Sequence, residues 1–506
     1  GNVAIGYQSA DALLAGGGNV ALGFESLSAE DAGSGNVALG YRALKTLNND
    51  DSHNIAIGYE AMVNSSNAYW NIAIGRSAGA EMSSANVGSC VLIGYQSGDA
   101  IDDAGASGTV AIGKSSLSAL TSGAKNTAIG YSSASALLQG NRNTSLGYDS
   151  MNALAGDDAN NAGSDNIAIG VDAMGSLNAG VHNDARANSN VAIGNSAFLA
   201  GSMADSGASV SQGNVCIGHE AAMTTGTNAQ TGITAVGFRA LKALTSGAGN
   251  TAVGYNSGAT INTGSLNTFV GYLAGDGVDD GNNCVALGYS ALRANCGSNN
   301  TSVGKSSLEA ATGVGNTALG NLAGYAVTGG GNNLMLGTDS GRTGSPGGNI
   351  TTGSNEIVLG DENITEAHIQ VDWTVASDQR DKTDFTALDL GLDFVKSLSP
   401  VTYKWDKRSK YGDKTAESYD LLAQTPDGTH KEDWLDIGFK AQEVEALEIA
   451  AGYNKSSKTN LVSSHTDDGK QMGLQYSKFV PILVKAIQEQ NALIEALADR
   501  IVALEA

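Results

Sequence analysis

Two residue types that can form a nucleophile and its base stand five residues apart, at Ser377 and Lys382. A serine hydroxyl is a weak nucleophile at neutral pH and needs a base beside it. A lysine amine can act as that base if burial or a neighbouring cation lowers its pKa. By itself this short segment is more typical of a capping serine and a solvated lysine in a loop. The assignment therefore depends on the rest of the chain.

The composition of the chain changes close to Ser377. Residues 1–376 carry 12 Lys and Arg and 29 Asp and Glu, whereas residues 377–506 carry 16 and 22. Glycine shows the opposite trend, because 61 of the 68 glycines precede Ser377. We therefore place a domain boundary here, between a glycine-rich region and a charged one.

The overall composition argues against several classes of function. A net charge of −23 is unsuited to nucleic-acid binding, which requires clustered Lys and Arg. The four cysteines lack zinc-ligand spacing, the acidic pairs lack a calcium-loop pattern and the glycine runs lack a Walker lysine, so we expect no metal or cofactor. No apolar run reaches the roughly 18 residues of a membrane span. The chain begins inside a repeat at Gly1, and we expect a further N-terminal portion before it.

The glycine-rich region is a repeat of the form Asn-(Val/Ile/Thr)-Ala-(Ile/Leu/Val)-Gly-(Tyr/Phe). We find 20 copies, most often 17 residues apart, with spacings of 23–24 between Gly147 and Gly218 and before Gly360. Their anchoring glycines are Gly6, Gly23, Gly40, Gly58, Gly75, Gly94, Gly113, Gly130, Gly147, Gly170, Gly194, Gly218, Gly237, Gly254, Gly271, Gly288, Gly304, Gly320, Gly337 and Gly360. One short unit cannot bury its own apolar face, so the period predicts a stacked β-solenoid or β-roll.

Each unit predicts a strand, a glycine turn and a short helix. Val3 and Ile5 alternate with Ala4, which gives the strand one large-residue face and one tight face. The Ala- and Leu-containing segment 9–14 fits one or two helical turns, and the glycines after it end them. The longer spacings between Gly147 and Gly218 are expected to lengthen exposed loops only.

Two side-chain rows are expected to run along the stack. The Asn that opens each unit predicts a ladder of amides that satisfy one another from coil to coil. A row of glycan-contacting Asn side chains is the alternative. The aromatic residue after each glycine predicts either rings packed between coils or an exposed stripe that stacks on sugar rings.

The repeat resembles the head repeats of trimeric autotransporter adhesins and related phage fibre shafts. The resemblance covers roughly residues 1–361, although the adhesin heads usually have a shorter unit. It implies an elongated shaft in which each of three chains contributes a β-roll.

Four blocks after the repeat resemble the intramolecular chaperone of phage tailspikes and endosialidases, a family of Ser–Lys self-cleaving peptidases. The blocks are residues 368–382, 398–405, 437–444 and 476–488. The resemblance implies that Ser377 attacks the carbonyl before it, that Lys382 is its base, and that the Ala376–Ser377 bond is cut. Arg380 would support Lys382, and Asp378 would orient backbone donors. The family's Asn-Ile-like pair after the lysine is replaced here by residues 383–385.

The end of the chain predicts a coiled-coil helix. Apolar residues alternate at spacings of 3 and 4, with Gln490 as the polar exception. Pro481 lies near the start, where the first turn of a helix tolerates proline. The seam is Val480, Leu483, Ile487, Gln490, Ile494, Leu497, Ile501 and Leu504. Its Ile and Leu pattern does not itself specify three strands, so a trimer is implied by the resemblance.

These observations favour a mainly β homotrimeric tail fibre, an adhesin of the virion that attaches to a host surface polysaccharide or receptor. We expect a shaft over 1–361, a connector over 362–376, a small α+β chaperone over 377–475 and a coiled-coil helix over 476–506. A missing N-terminal region would bind other tail proteins, and the cleaved chaperone would be released. The alternatives are a polysaccharide-degrading tailspike and a bacterial surface adhesin, the latter less favoured because no membrane anchor follows the helix.

Overall fold

The computed structural model describes residues 1–50, 52–83, 86–154, 163–176, 186–199, 210–224, 230–371, 373–414, 418–456, 459, 461–466 and 468–505. The chain divides into two compact units, Gly1–Thr317 and Ala318–Ala506. The connections predicted as long loops between Gly147 and Gly218 lie largely outside the described residues. Among the described residues, no helix is long and apolar enough to cross a bilayer.

The first 22 strands are each three residues long. They are β1 (Val3–Ile5), β2 (Val20–Leu22), β3 (Val37–Leu39), β4 (Ile55–Ile57), β5 (Ile72–Ile74), β6 (Val91–Ile93), β7 (Val110–Ile112), β8 (Thr127–Ile129), β9 (Thr144–Leu146), β10 (Ile167–Ile169), β11 (Arg186–Asn188), β12 (Val191–Ile193), β13 (Val210–Gln212), β14 (Val215–Ile217), β15 (Thr234–Val236), β16 (Thr251–Val253), β17 (Thr268–Val270), β18 (Val285–Leu287), β19 (Thr301–Val303), β20 (Thr317–Leu319), β21 (Leu334–Leu336) and β22 (Ile357–Leu359). Strands β11 and β13 pair with each other. Each of the other 20 ends directly before a predicted anchoring glycine, which confirms the predicted repeat.

Strands of the first unit stack in parallel and in register. Val3 lies opposite Val20, which lies opposite Val37, and the same correspondence continues from coil to coil. Adjacent strands in a sheet lie about 4.8 Å apart, so the 17 strands β1–β10, β12 and β14–β19 extend over roughly 80 Å. The mainly β solenoid with a period near 17 is therefore confirmed.

Each strand directs its small central residue into the interior of the coil. The central alanines, such as Ala38, Ala56 and Ala73, are fully buried, whereas flanking residues such as Val20, Leu22 and Ile74 are more than one-third exposed. The tight face is thus the inner one, and the large apolar residues form rows along the outside of the sheet. Leu and Met from the segment after each glycine, for example Leu44 and Met62, fill the interior.

The segment after each anchoring glycine is not helical, contrary to the prediction. Residues two and four positions after the glycine adopt left-handed backbone angles, as at Arg42 (φ 55°) and Leu44 (φ 52°). The amide of Leu44 donates to the carbonyl of Ala61 in the next coil at 3.0 Å. Because the neighbouring coil satisfies these amides, the segment has no need of the i to i−4 bonds that would make it a helix.

A large residue on the inner face of a strand is matched by small ones beside it. Phe269 takes the place that alanine holds in neighbouring strands, and it is fully buried. Gly258 and Gly275 stand where other coils carry Leu or Met, and a Cβ on either would lie within 3 Å of the Phe269 ring. Interior volume is thus conserved between coils, as close packing requires.

The Asn side chains form the predicted ladder and not a row of glycan contacts. The Asn267 amide N–H donates to Asn250 Oδ1 at 3.0 Å, and its Nδ2 donates to the Gly281 carbonyl at 2.8 Å. Asn267 Oδ1 in turn accepts from the Cys284 amide at 2.8 Å. Asn250 and Asn267 are fully buried, so neither can contact a ligand in solution.

Replacing Asn267 by alanine is expected to destabilise the solenoid by about 2–4 kcal/mol, because the Cys284 amide and the Gly281 carbonyl would lose their partners in a buried place. Denaturant unfolding followed by circular dichroism measures the change. The exposed Asn321, which follows an anchoring glycine, provides a control, and Asn321→Ala is expected to change stability by less than about 0.5 kcal/mol. Equal losses in the two variants would contradict the ladder's structural role.

The aromatic residues after the glycines stack on one another. Phe238, Tyr255, Tyr272 and Tyr289 have ring centroids 5.0–5.4 Å apart with interplanar angles of 10° or less. Tyr255 and Tyr289 are 44% and 51% exposed, so the row shows ring edges to solvent. Their faces are occupied by neighbouring rings, which supports packing between coils over sugar stacking.

The second unit begins within β20, at Ala318, and contains β21, β22 and the remaining elements. Helices α1 (Leu392–Ser397), α2 (Ala441–Ala450) and α3 (Phe479–Glu505) accompany two antiparallel pairs, β23 (Val401–Tyr403) with β24 (Asp436–Gly438) and β25 (Ser463–His465) with β26 (Met472–Leu474). The core of this part is Leu390, Phe394, Val444, Val462, Phe479 and Ile482. The small α+β module with a C-terminal helix is therefore as predicted.

Candidate active site

Ser377 and Lys382 lie at either end of a single turn. Residues Gln379–Asp381 form a 3₁₀ turn, and Asp378 caps it by accepting from the Arg380 amide at 2.9 Å. The turn folds the chain back so that Lys382 Nζ lies 2.6 Å from Ser377 Oγ. This separation is within hydrogen-bond reach, which is the geometric requirement for a nucleophile and its base.

The two supporting residues pair with each other. Arg380 Nη2 lies 2.6 Å from Asp378 Oδ2, and this guanidinium holds the pKa of the Asp378 carboxyl below its usual value. Asp378 thus orients a backbone donor, the Arg380 amide. The Arg380 charge is directed at Asp378.

The segment that carries the pair is open to solvent. Every described residue from 363 to 387 is exposed. Before Ser377 the chain alternates apolar and polar residues, and Ile369, Val371, Trp373 and Val375 are between 53% and 78% exposed. This period-2 pattern is typical of a strand with one buried face, yet the single chain does not cover it.

Helix α2 contributes a buried carboxylate that the sequence interpretation overlooked. Glu448 is 1% exposed and accepts from the amides of Leu461, Val462 and Ser463 at 2.8, 2.6 and 3.0 Å. The Ser463 hydroxyl also donates to it. Glu448 therefore fixes the start of β25 onto α2. The sequence gives little signal for it, because Glu448 is one of two glutamates, with Glu445, in the otherwise apolar helix segment 444–450.

Helix α3 presents two different faces. Phe479, Ile482 and Ala486 are buried in the core of the module, and Glu489 accepts from the Leu392 amide at the start of α1 at 2.7 Å. The apolar residues of the predicted seam are instead 44–84% exposed: Val480, Leu483, Ile487, Ile494, Leu497, Ile501 and Leu504. The structure thus separates a face that docks the helix from a face that remains free in the single chain. Sequence reasoning found only the second.

No group of three or more His, Cys, Asp or Glu side chains is placed to hold a metal ion within the part of the chain that the structure describes. The described cysteines are buried in the solenoid, and Cys284 and Cys296 have their sulfur atoms 4.0 Å apart.

In this chain a repetitive parallel β-solenoid is followed by a small α+β module. Residues 377–453 match the family model described as "Chaperone of endosialidase", and the match begins at Ser377. This chaperone domain and the solenoid together fit a phage tail fibre or tailspike protein. No curated protein and no solved structure matches the chain.

Proposed function

We propose that the chain forms a homotrimeric tail fibre whose C-terminal module aligns three chains and then cuts itself off before Ser377. The observation that carries the proposal is a set of apolar surfaces that one chain leaves uncovered. They are the outer rows of Val, Ile and Leu on the solenoid strands, the alternating segment 369–375 and the seam of α3. Contiguous exposed apolar surfaces of this extent mark interaction sites.

Further copies of the same chain are the occupants that fit these surfaces. The outer rows repeat in register along the solenoid, so a second solenoid with the same spacing matches them coil for coil. The α3 seam likewise repeats every seven residues and is complementary to itself. The match to the chaperone family supports three chains as the number.

Assembly would also complete the chemistry. In the single chain the side chains of Ser377 and Lys382 are open to water. Burial of segment 369–375 between three chains would remove water from around Ser377 and Lys382, and the exclusion of water strengthens electrostatic interactions within such a site. The site would then act only in an assembled trimer, so that cleavage follows folding of the shaft.

The cleavage is an acyl shift followed by hydrolysis. Lys382 Nζ takes the proton of the Ser377 hydroxyl while Oγ attacks the Ala376 carbonyl carbon. The proton passes to the Ser377 nitrogen, the C–N bond breaks, and an ester joins Ala376 to Ser377 Oγ. Water then hydrolyses the ester, which leaves a carboxylate on Ala376 and restores the Ser377 hydroxyl.

In this proposal residues 1–361 form the shaft, 362–376 the connector, 377–475 the chaperone and 476–506 the trimerising helix. The mature fibre would belong to the virion and contact a polysaccharide or receptor on the host surface. Cutting the covalent link to the aligning module would leave the shaft kinetically trapped, because strands that separate could not easily find their register again.

Replacing Leu497 by aspartate is expected to abolish the trimer, since it would place three carboxylates in one apolar layer of the seam. Multi-angle light scattering on Ser377→Ala protein, which keeps the helix attached, measures the mass directly. Ala496→Asp provides a matched control, because Ala496 is exposed and lies next to the seam but outside it. The proposal fails if the chain with an intact seam is monomeric at micromolar concentration.

A further inference from the structure

Glu362 lies on the shaft side of the proposed cleavage point but is held by residues of the chaperone. Its side chain is 6% exposed and pairs with the ammonium group of Lys414. Its backbone carbonyl accepts from Lys407 Nζ at 2.8 Å. A buried glutamate that is paired in this way belongs to a built contact and not to a solvated surface.

Glycines at the end of the solenoid also lie close to side chains of the chaperone. A Cβ on Gly344 would lie 2.7 Å from Ser409 Cβ, and one on Gly348 would lie 2.7 Å from Thr466 Cβ. The Asn349 amide donates to Asp468 Oδ2 at 3.3 Å. Glycine at positions 344 and 348 thus permits a close fit between the end of the solenoid and the chaperone.

The charges on the two sides are complementary. Burial has the largest effect and lowers the pKa of Lys414, and Asp339 and Asp361 favour its charged form, whereas Arg342 opposes it. Lys407 lies 3.7 Å from Glu432 of the chaperone as well as contacting Glu362. Acidic residues of the shaft therefore meet basic residues of the chaperone in a partly buried place, where salt screens poorly.

The covalent connection between the two sides takes a different route. It runs through residues 363–387, whose described members are all exposed. Cutting the Ala376–Ser377 bond would therefore break none of the contacts made by Glu362, Gly344 or Asn349. The contact and the peptide link are independent of each other.

We propose that these residues form a non-covalent clasp, centred on Glu362, that keeps the chaperone bound to the end of the shaft after the chain is cut. The partner of this surface is the chain's own fragment 377–506. The biological role of the clasp rests on the proposed cleavage before Ser377. The clasp itself can be tested without that cleavage.

The test uses the full chain with Ser377→Ala and a site-specific protease sequence inserted between Thr365 and Glu366, in the exposed connector outside segment 369–375. After cutting, native size-exclusion chromatography separates bound from free fragment, and a denaturing gel verifies that the chain was cut. We expect the two fragments to co-elute. With Glu362→Ala we expect dissociation to be at least about 10-fold faster, as for loss of one partner of a buried charge pair.

Two further variants make the result specific. The double variant Lys407→Gln, Lys414→Gln removes the clasp from the chaperone side, and we expect it to release the fragment as Glu362→Ala does. Glu366→Ala is the control, because Glu366 lies in the same connector, is 72% exposed and pairs with the neighbouring exposed His368. Immediate separation of the unmodified fragments, or unchanged co-elution in both clasp variants, overturns the clasp. Absence of self-cleavage in the chain without the inserted site instead overturns the proposed function and leaves the clasp result standing.

Discussion

Ser377→Ala is expected to leave the 506-residue chain whole, whereas the unmodified chain yields a C-terminal fragment of residues 377–506. Alanine has no hydroxyl to attack the Ala376 carbonyl, so the acyl shift cannot begin. Lys382→Ala is expected to slow the cut by at least about 100-fold, the usual contribution of a positioned base. Intact-mass spectrometry of the purified protein measures both products directly.

Lys382→Arg separates the role of base from the role of charge. An arginine keeps the positive charge but stays protonated in proteins, so it cannot accept the serine proton. We expect this variant to remain uncut. Lys396→Ala provides the control, because Lys396 is an exposed lysine on α1. Cleavage of Lys382→Arg at the original rate would show that the lysine is not the base.

The repeat and the ladder could be predicted because in-register stacking imposes the same demand on every coil. Each strand must end at a glycine and begin beside an Asn, so the repeat and its period can be recognised in the sequence. The α3 seam was visible for a similar reason, since one face of a helix repeats every seven residues. The spacing of Ser377 and Lys382 was not sufficient to identify the pair. Segment 377–382 became informative only together with the blocks that follow it.

The parts that sequence reasoning missed all depend on contacts between distant residues. The Leu44 segment contains helix-forming residues, but its amides bond to the next coil, which no local preference reveals. The inward direction of Ala38 depends on how the coil closes. Glu448 and Glu362 are charged residues that become buried only because partners from 13 to 52 positions away meet them.

The outer rows of Val and Ile explain why such a chain would need a separate aligning module. Because every coil presents nearly the same surface, two solenoids shifted by one coil match almost as well as two in correct register. The repeat cannot select its own alignment. A C-terminal helix with one seam and a single polar layer at Gln490 can do so, which gives the proposed chaperone a physical task.

Gly254→Ala is expected to destabilise the solenoid by about 4 kcal/mol, from backbone strain and from steric overlap together. Gly254 has a φ of +138°, and an added Cβ would overlap the Gly271 carbonyl oxygen of the next coil. Denaturant unfolding measures the loss, and hydrogen exchange of the amides in β15–β17 locates it, since disruption in a repeat stack is felt first by neighbouring coils.

Gly17→Ala is the matched control for this substitution. Gly17 does not have a left-handed φ, and a Cβ there would meet nothing within 4 Å. Alanine at this position is expected to leave stability unchanged or to raise it slightly, because it restricts the unfolded chain. Equal unfolding midpoints for the two variants would mean that coils can separate enough to admit a methyl group at Gly254. The glycine in each unit would then not be the element that sets the spacing of the stack.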